Sequence, residues 1–144
     1  MNEMKNSLKT SFPSLTRNEA LARGIAAQFT MLMDPTVEEL SDVRTAVSEA
    51  VTNAMIHGYG DEQGVVTLEL SSENDELTVT VTDEGRGIED VERARQPFYT
   101  SMPEAERSGM GFAVMEAFMD SVVIESEVGR GTRVIMQKRI GAHE

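Results

Sequence analysis

Apolar residues recur along this chain with two different periods. From residue 20 to 33, Leu21, Ile25, Phe29 and Leu32 fall at helical spacing, so a helix is predicted from a cap at Ser14 or Thr16 to about Met33. Asp34-Pro35-Thr36 stops it and starts another: Pro35 suits a first helical turn, and Thr36 with Glu39 reads as a capping box. The second helix is predicted over 36–57, with Leu40, Val43, Val47, Ala50, Val51 and Ala54 as its apolar stripe and Gly58 and Gly60 as its end. The period then drops to two. Val66, Leu68 and Leu70 alternate, as do Leu77, Val79 and Val81, and the turn-rich Ser72-Glu73-Asn74-Asp75 between them predicts a hairpin.

Residues 5–12, with Leu8 and Phe12, read as a first strand. Beyond the hairpin come DEGRGI, a short helix over 88–95 and a long loop, PFYTSMPEAERSGMG. A helix over 111–119 carries Phe112, Val114, Met115, Phe118 and Met119 at core-facing spacing. Two last strands, SVVIESE and TRVIMQKR, are joined by Val128-Gly129-Arg130-Gly131. Strands in hairpin pairs with helices elsewhere predict an α+β two-layer sandwich: a mixed, mostly antiparallel sheet with helices on one face. A chain of 144 residues suits a single domain, 1–144.

Composition narrows the function classes. With 40% apolar and 26% charged residues the chain reads as soluble and globular, and no apolar run approaches the ~20 residues of a membrane span. No cysteine means no disulfide and no thiol chemistry, which fits a cytoplasmic protein. A net charge of −12 opposes direct nucleic-acid binding. It also obliges any bound polyphosphate to find local donors: backbone N–H groups, a magnesium ion, one or two arginines.

Three clusters could supply such chemistry. Glu49 and Asn53, one turn apart on the second helix, offer the hard oxygens that magnesium prefers, although a solvated polar face has the same spacing. Asp83 ends a strand and is followed by Gly85 and Gly87; a carboxylate there can accept from an exocyclic amine such as adenine N6, or merely begin a turn. Ser108-Gly109-Met110-Gly111 opens a helix, where free N–H groups and the helix dipole favour phosphate, and Arg107 stands just before it. GMGFAVM lacks the lysine of a Walker A loop, which excludes a P-loop NTPase.

Taken in order, Asn53 to His57 on a helix, Asp83 to Gly87 after a strand, Gly109 to Gly111 into a helix and Gly131-Thr132 before a last strand resemble the GHKL ATPase/kinase superfamily, with its Bergerat ATP-binding fold. More narrowly, VSEAVTNAMIHGY, TDEGRGIEDVERARQPFYTS, ERSGMGFAVMEAFMD and VIESEVGRGT are similar to the sporulation anti-sigma F factors, as is TRNEALAR near the start. That resemblance implies a homodimeric protein-serine kinase that binds ATP and Mg2+, holds sigma factor F inactive and phosphorylates an anti-anti-sigma protein. It implies Glu49 as general base, Asn53 as magnesium ligand and Asp83 as the adenine-recognising carboxylate. His57 falls near the phosphates or caps its helix. Thr132 supports adenine. Thr100, Ser101, Arg107, Ser108, Gly109, Met110 and Gly111 cover or contact the phosphates. Glu19 and Arg23 face protein partners. PFYTSMPE departs from the family pattern, which has a second threonine and a lysine near 101 and 102, but Ser101 keeps a hydroxyl.

Other readings are a stress-response anti-sigma B kinase, a histidine-kinase catalytic domain, and a module that binds ATP only to set its shape. The second would want a phosphoacceptor helix pair ahead of the ATP domain, and the third would have no use for a carboxylate at Glu49. A gyrase- or MutL-like ATPase would need a transducer domain as well.

Overall fold

The computed structural model describes residues 5–96 and 111–141. Within them run β1 (Asn6–Pro13), α1 (Asn18–Met31), α2 (Val37–Asn53), a π-helical turn (Ala54–Tyr59), β2 (Val65–Glu73), β3 (Glu76–Asp83), α3 (Val91–Ala94), α4 (Phe112–Phe118), β4 (Ser121–Glu127) and β5 (Gly131–Arg139). The five strands form one sheet in the order β1-β2-β3-β5-β4, and each of its four pairings is antiparallel.

Strand parity decides which face is covered. Leu68, Leu70, Leu77, Val79, Val81, Val122, Ile124, Val134 and Met136 all point one way and are buried. Their neighbours Thr67, Glu69, Thr78, Thr80 and Ile135 point the other way and stay partly open. The helices pack on the first face, α2 centrally with Val43, Ala46, Val47, Ala50 and Val51 buried, flanked by α1 and α4. Each fully buried valine or leucine contributes about 1.5–3 kcal/mol relative to exposure, so this layer holds the fold together. Lys138 ties it at one edge, its Nζ 3.4 Å from Asp42 of α2 and donating to the Phe118 carbonyl at 2.8 Å.

The predicted capping box is present: Glu39 N–H donates to Thr36 Oγ1 at 3.0 Å and Thr36 N–H to Glu39 Oε1 at 2.9 Å. Three expectations need correction. Neither Ser14 nor Thr16 caps α1, which begins after Arg17 without a side-chain cap. Ser14 Oγ instead accepts from Gly64 N–H at 3.0 Å, and Asn18 Nδ2 donates to the Pro13 carbonyl at 2.9 Å. The second helix is not α-helical to residue 57. It widens after Asn53 into the π turn, closed by Gly60 N–H donating to the Met55 carbonyl at 3.0 Å. The short helix predicted over 88–95 is the single turn α3, capped by Asp90 Oδ1 accepting from Arg93 N–H at 3.1 Å.

Candidate functional site

The apolar face of the sheet changes character at one end. Register places Val66, Asp83, Thr132 and Ser126 side by side across β2, β3, β5 and β4. In each of the last three strands the polar residue continues the buried parity: Asp83 follows Leu77, Val79 and Val81, Thr132 precedes Val134 and Met136, and Ser126 follows Val122 and Ile124. The switch from apolar to polar therefore falls in one row beneath the C-terminal end of α2. Asn53, His57, Gly58, Asp83, Thr132 and Phe112 line the hollow between them. Asn53, His57, Asp83 and Thr132 are the buried polar residues there.

Burial dominates the chemistry of Asp83. It raises the carboxyl from 3.8 to about 6, although backbone N–H groups of Gly85 and Thr132 pull it back. Gly85 N–H donates to Asp83 Oδ1 at 2.9 Å. The π turn lies directly over this strand end. A Cβ at Gly58 would stand 2.7 Å from the Asp83 carboxyl carbon, and one at Gly85 would collide with the Gly58 backbone. Glycine at both is thus what allows the helix end to close on the turn. Arg86 N–H then donates to the Gly58 carbonyl at 2.9 Å.

Two residues that periodicity did not single out hold the turn in place. Tyr59 Oη accepts from Glu84 N–H at 2.8 Å and donates to the Val65 carbonyl at 2.6 Å. Ser126 Oγ accepts from Ile88 N–H at 2.7 Å and donates to the Gly131 carbonyl at 3.0 Å. With its one proton used there, the 2.8 Å contact between Ser126 and Thr132 hydroxyls has Thr132 as donor, leaving the lone pairs of Thr132 as acceptors. The in-phase position of Ser126 was the sequence signal for its place in the row. Tyr59 gave none.

Glu49 lies one turn before Asn53 but does not line this hollow. It is half-buried at the end of a neighbouring groove, shared with Arg23 and Ser48. Gly111, at φ +73°, presses its backbone on the Glu49 carboxylate, where a side chain would clash. The structure therefore brings Asn53, His57, Asp83, Gly85 and Thr132 together, sets Glu49 and Gly111 beside them, and puts Gly87 at the far side of the turn against Glu127 and Val128. Glu19 and Arg23 form an ion pair of 3.6 Å on α1. Thr100, Ser101, Arg107, Ser108, Gly109 and Met110 lie outside the described residues.

The donor set suits a magnesium nucleotide. Asp83 and Thr132 present acceptors to an amine-bearing ring in a largely apolar hollow. Asn53 offers the kind of sparse oxygen ligand that magnesium uses when phosphates and water supply the rest. Among the described residues no group of three or more His, Cys, Asp or Glu forms an all-protein cage. The deepest part of the hollow, about 20 Å³, has room for about one water.

This architecture is that of a kinase-type ATPase: the chain belongs to the histidine kinase-like ATPase domain family, whose model matches residues 12–138. Within that family it stands among the anti-sigma F factors, being 52% identical to that of Clostridium acetobutylicum over 98% of this chain and 99% of the relative. The anti-sigma F factor of Clostridium perfringens strain SM101 is 54% identical over 95% and 99%. Among solved structures, the RsbU and RsbW domains of Rv1364c from Mycobacterium tuberculosis superpose with a TM-score of 0.69 at 18% identity, over 94% of this chain and 32% of that longer one. That likeness is one of fold. Among the described residues no helix is long and apolar enough to cross a membrane.

Proposed function

We propose that this chain is a cytoplasmic protein-serine kinase of sporulation, one domain over residues 1–144, that binds Mg-ATP in the Asp83 hollow. It phosphorylates an anti-anti-sigma protein and, when that partner is absent, holds sigma factor F. The observation that carries this reading is the lateral row: three strands turn polar in register directly under Asn53 and His57, with Glu49 alongside.

In this reading the adenine amine donates to Asp83, with the Thr132 hydroxyl beside it. Asn53 would hold magnesium, which supplies charge neutralisation on the triphosphate. Glu49 accepts the proton of the incoming serine hydroxyl, and Arg107 with the N–H groups of residues 108–111 balances charge on the transferring phosphoryl. Transfer of this kind rests on positioning and electrostatics, so few groups suffice. His57, too buried to be a phosphoacceptor, packs beside Asn53. Homodimerisation is proposed through α1 and the free edge of β1, where Leu8, Leu21 and Leu32 are 41%, 51% and 73% exposed beside an open strand edge.

The test is one mixture of the protein, magnesium-ATP, sigma factor F and the anti-anti-sigma protein, followed by native mass and radiolabel together. Wild type should label the anti-anti-sigma protein on serine and retain sigma once that pool is modified. Glu49→Gln should lose transfer by at least about a hundredfold while keeping ATP affinity within a few-fold. Unchanged single-turnover transfer in Glu49→Gln would sink the role of Glu49.

A further inference from the structure

The groove that ends at Glu49 has a composition unlike the rest of this acidic chain. It runs along α2 against α1, measures about 370 Å³, and is lined by Arg23, Ser41, Arg44, Thr45, Ser48 and Glu49. Its far end is apolar, at Leu40 and the largely exposed Val37. Positions 37, 41, 44 and 48 follow one another on a single helix face, so the lining is a continuous track rather than a scatter. In a chain of net charge −12, two guanidinium groups share this one track. Arg23 is engaged by Glu19. Arg44 is exposed and makes no ion pair among the described residues.

We infer that this groove reads the segment flanking the phosphoacceptor serine of the protein substrate, and that Arg44 selects an acidic residue in it. The inference rests on the kinase reading above and adds a substrate class to it. Helical rise sets the spacing. Arg44 stands five residues before Glu49, about 7.5 Å along the axis and roughly 140° round it, a path that an extended peptide covers in about three residues. Val37 is about 18 Å from Glu49, the span of five or six. The fitting segment therefore carries Asp or Glu about three positions from its serine and an apolar side chain about three positions further along. Ser41, Thr45 and Ser48 offer hydroxyls that can donate or accept along the peptide backbone. Arg44, which touches no reacting atom, is a specificity residue.

The test compares wild type, Arg44→Lys and Arg44→Glu using the anti-anti-sigma protein as probe, with initial rates of transfer at two salt concentrations and ATP affinity measured separately. The inference expects KM for the protein to rise about tenfold or more in Arg44→Glu, with ATP affinity within twofold, a weaker salt dependence, and substantial recovery in Arg44→Lys. An unchanged KM, or an equal loss of ATP affinity, overturns it. Should wild type transfer no phosphate, the kinase reading fails. The groove is then judged by titrating the same protein probe into each variant with a non-hydrolysable ATP analogue bound: weaker binding by Arg44→Glu alone upholds the groove as the surface that reads an acidic segment of the partner, and equal binding overturns it.

Discussion

At neutral pH Asp83 is ionised in a place that resists ionisation. Its carboxyl sits at about 6 in the folded chain against 3.8 for the ordinary group, and burial is the cause. Below 3.8 the residue is protonated in folded and unfolded chains alike, and nothing is lost. As pH rises toward 6 the unfolded chain ionises first, so folding stability falls, and above 6 the full penalty of about 3 kcal/mol stands. Asp83→Asn should therefore stabilise the nucleotide-free protein at pH 7 by up to about 3 kcal/mol and flatten its stability between pH 4 and 6. Urea titrations across that range check this; a variant less stable than wild type at pH 7 would show that the hydrogen bonds Asp83 accepts outweigh its burial. A carboxylate kept at such cost makes Asp83 a candidate functional group. Much of this was legible in the sequence, since Asp83 continues the alternation of Leu77, Val79 and Val81. What parity could not give was the depth of burial, which depends on Gly58 and the π turn closing over it.

The elements that build the site are locally consistent, with one exception that matters. Apolar periodicity gave the helices, the two hairpins and their order, because each element buries one face against one core. The π turn was invisible because Ala50, Val51 and Ala54 keep an α-helical stripe right up to it, and only the Gly60 to Met55 hydrogen bond reveals the widening. Turns of this kind recur at functional sites, and here it is the element that meets the Asp83 turn. Tyr59, its last residue, spans Val65 and Glu84. Tyr59→Phe removes both hydrogen bonds and should cost about 1–3 kcal/mol. Amide exchange at Glu84 should quicken and nucleotide affinity should fall several-fold. Unaltered exchange at Glu84 would mean that the turn is held by the Gly58 to Arg86 contact alone. The start of α1 was misread for a related reason: Ser14 has the chemistry of a cap, but its hydroxyl goes to Gly64, a partner distant in sequence that no local pattern announces.

At the scale of the molecule, the helix-covered face carries the site, and the outer side of α1 with β1 carries the apolar surface. Leu8, Leu21 and Leu32, with Gly24 and Phe29, border a hollow of about 730 Å³ there. If, as proposed, this surface joins two copies, Leu21→Lys should convert a dimer to monomer in analytical ultracentrifugation without changing the circular dichroism. An unchanged sedimentation coefficient would place the dimer contact elsewhere. The order of motifs along the chain was enough to foresee one shared cleft, but not that Glu49 and Asn53, one helical turn apart, face different hollows. In the proposed reading, that separation would set Glu49 toward an incoming protein substrate and Asn53 toward the nucleotide.

The central claim is that adenine is read by Asp83 and that Glu49 serves the chemistry, not the binding. Calorimetric titration of magnesium-ATP into wild type, Asp83→Asn and Glu49→Gln at one pH tests it most directly. Asp83→Asn should weaken binding by about tenfold or more while Glu49→Gln stays within about threefold of wild type. Equal affinities for the two variants would contradict it.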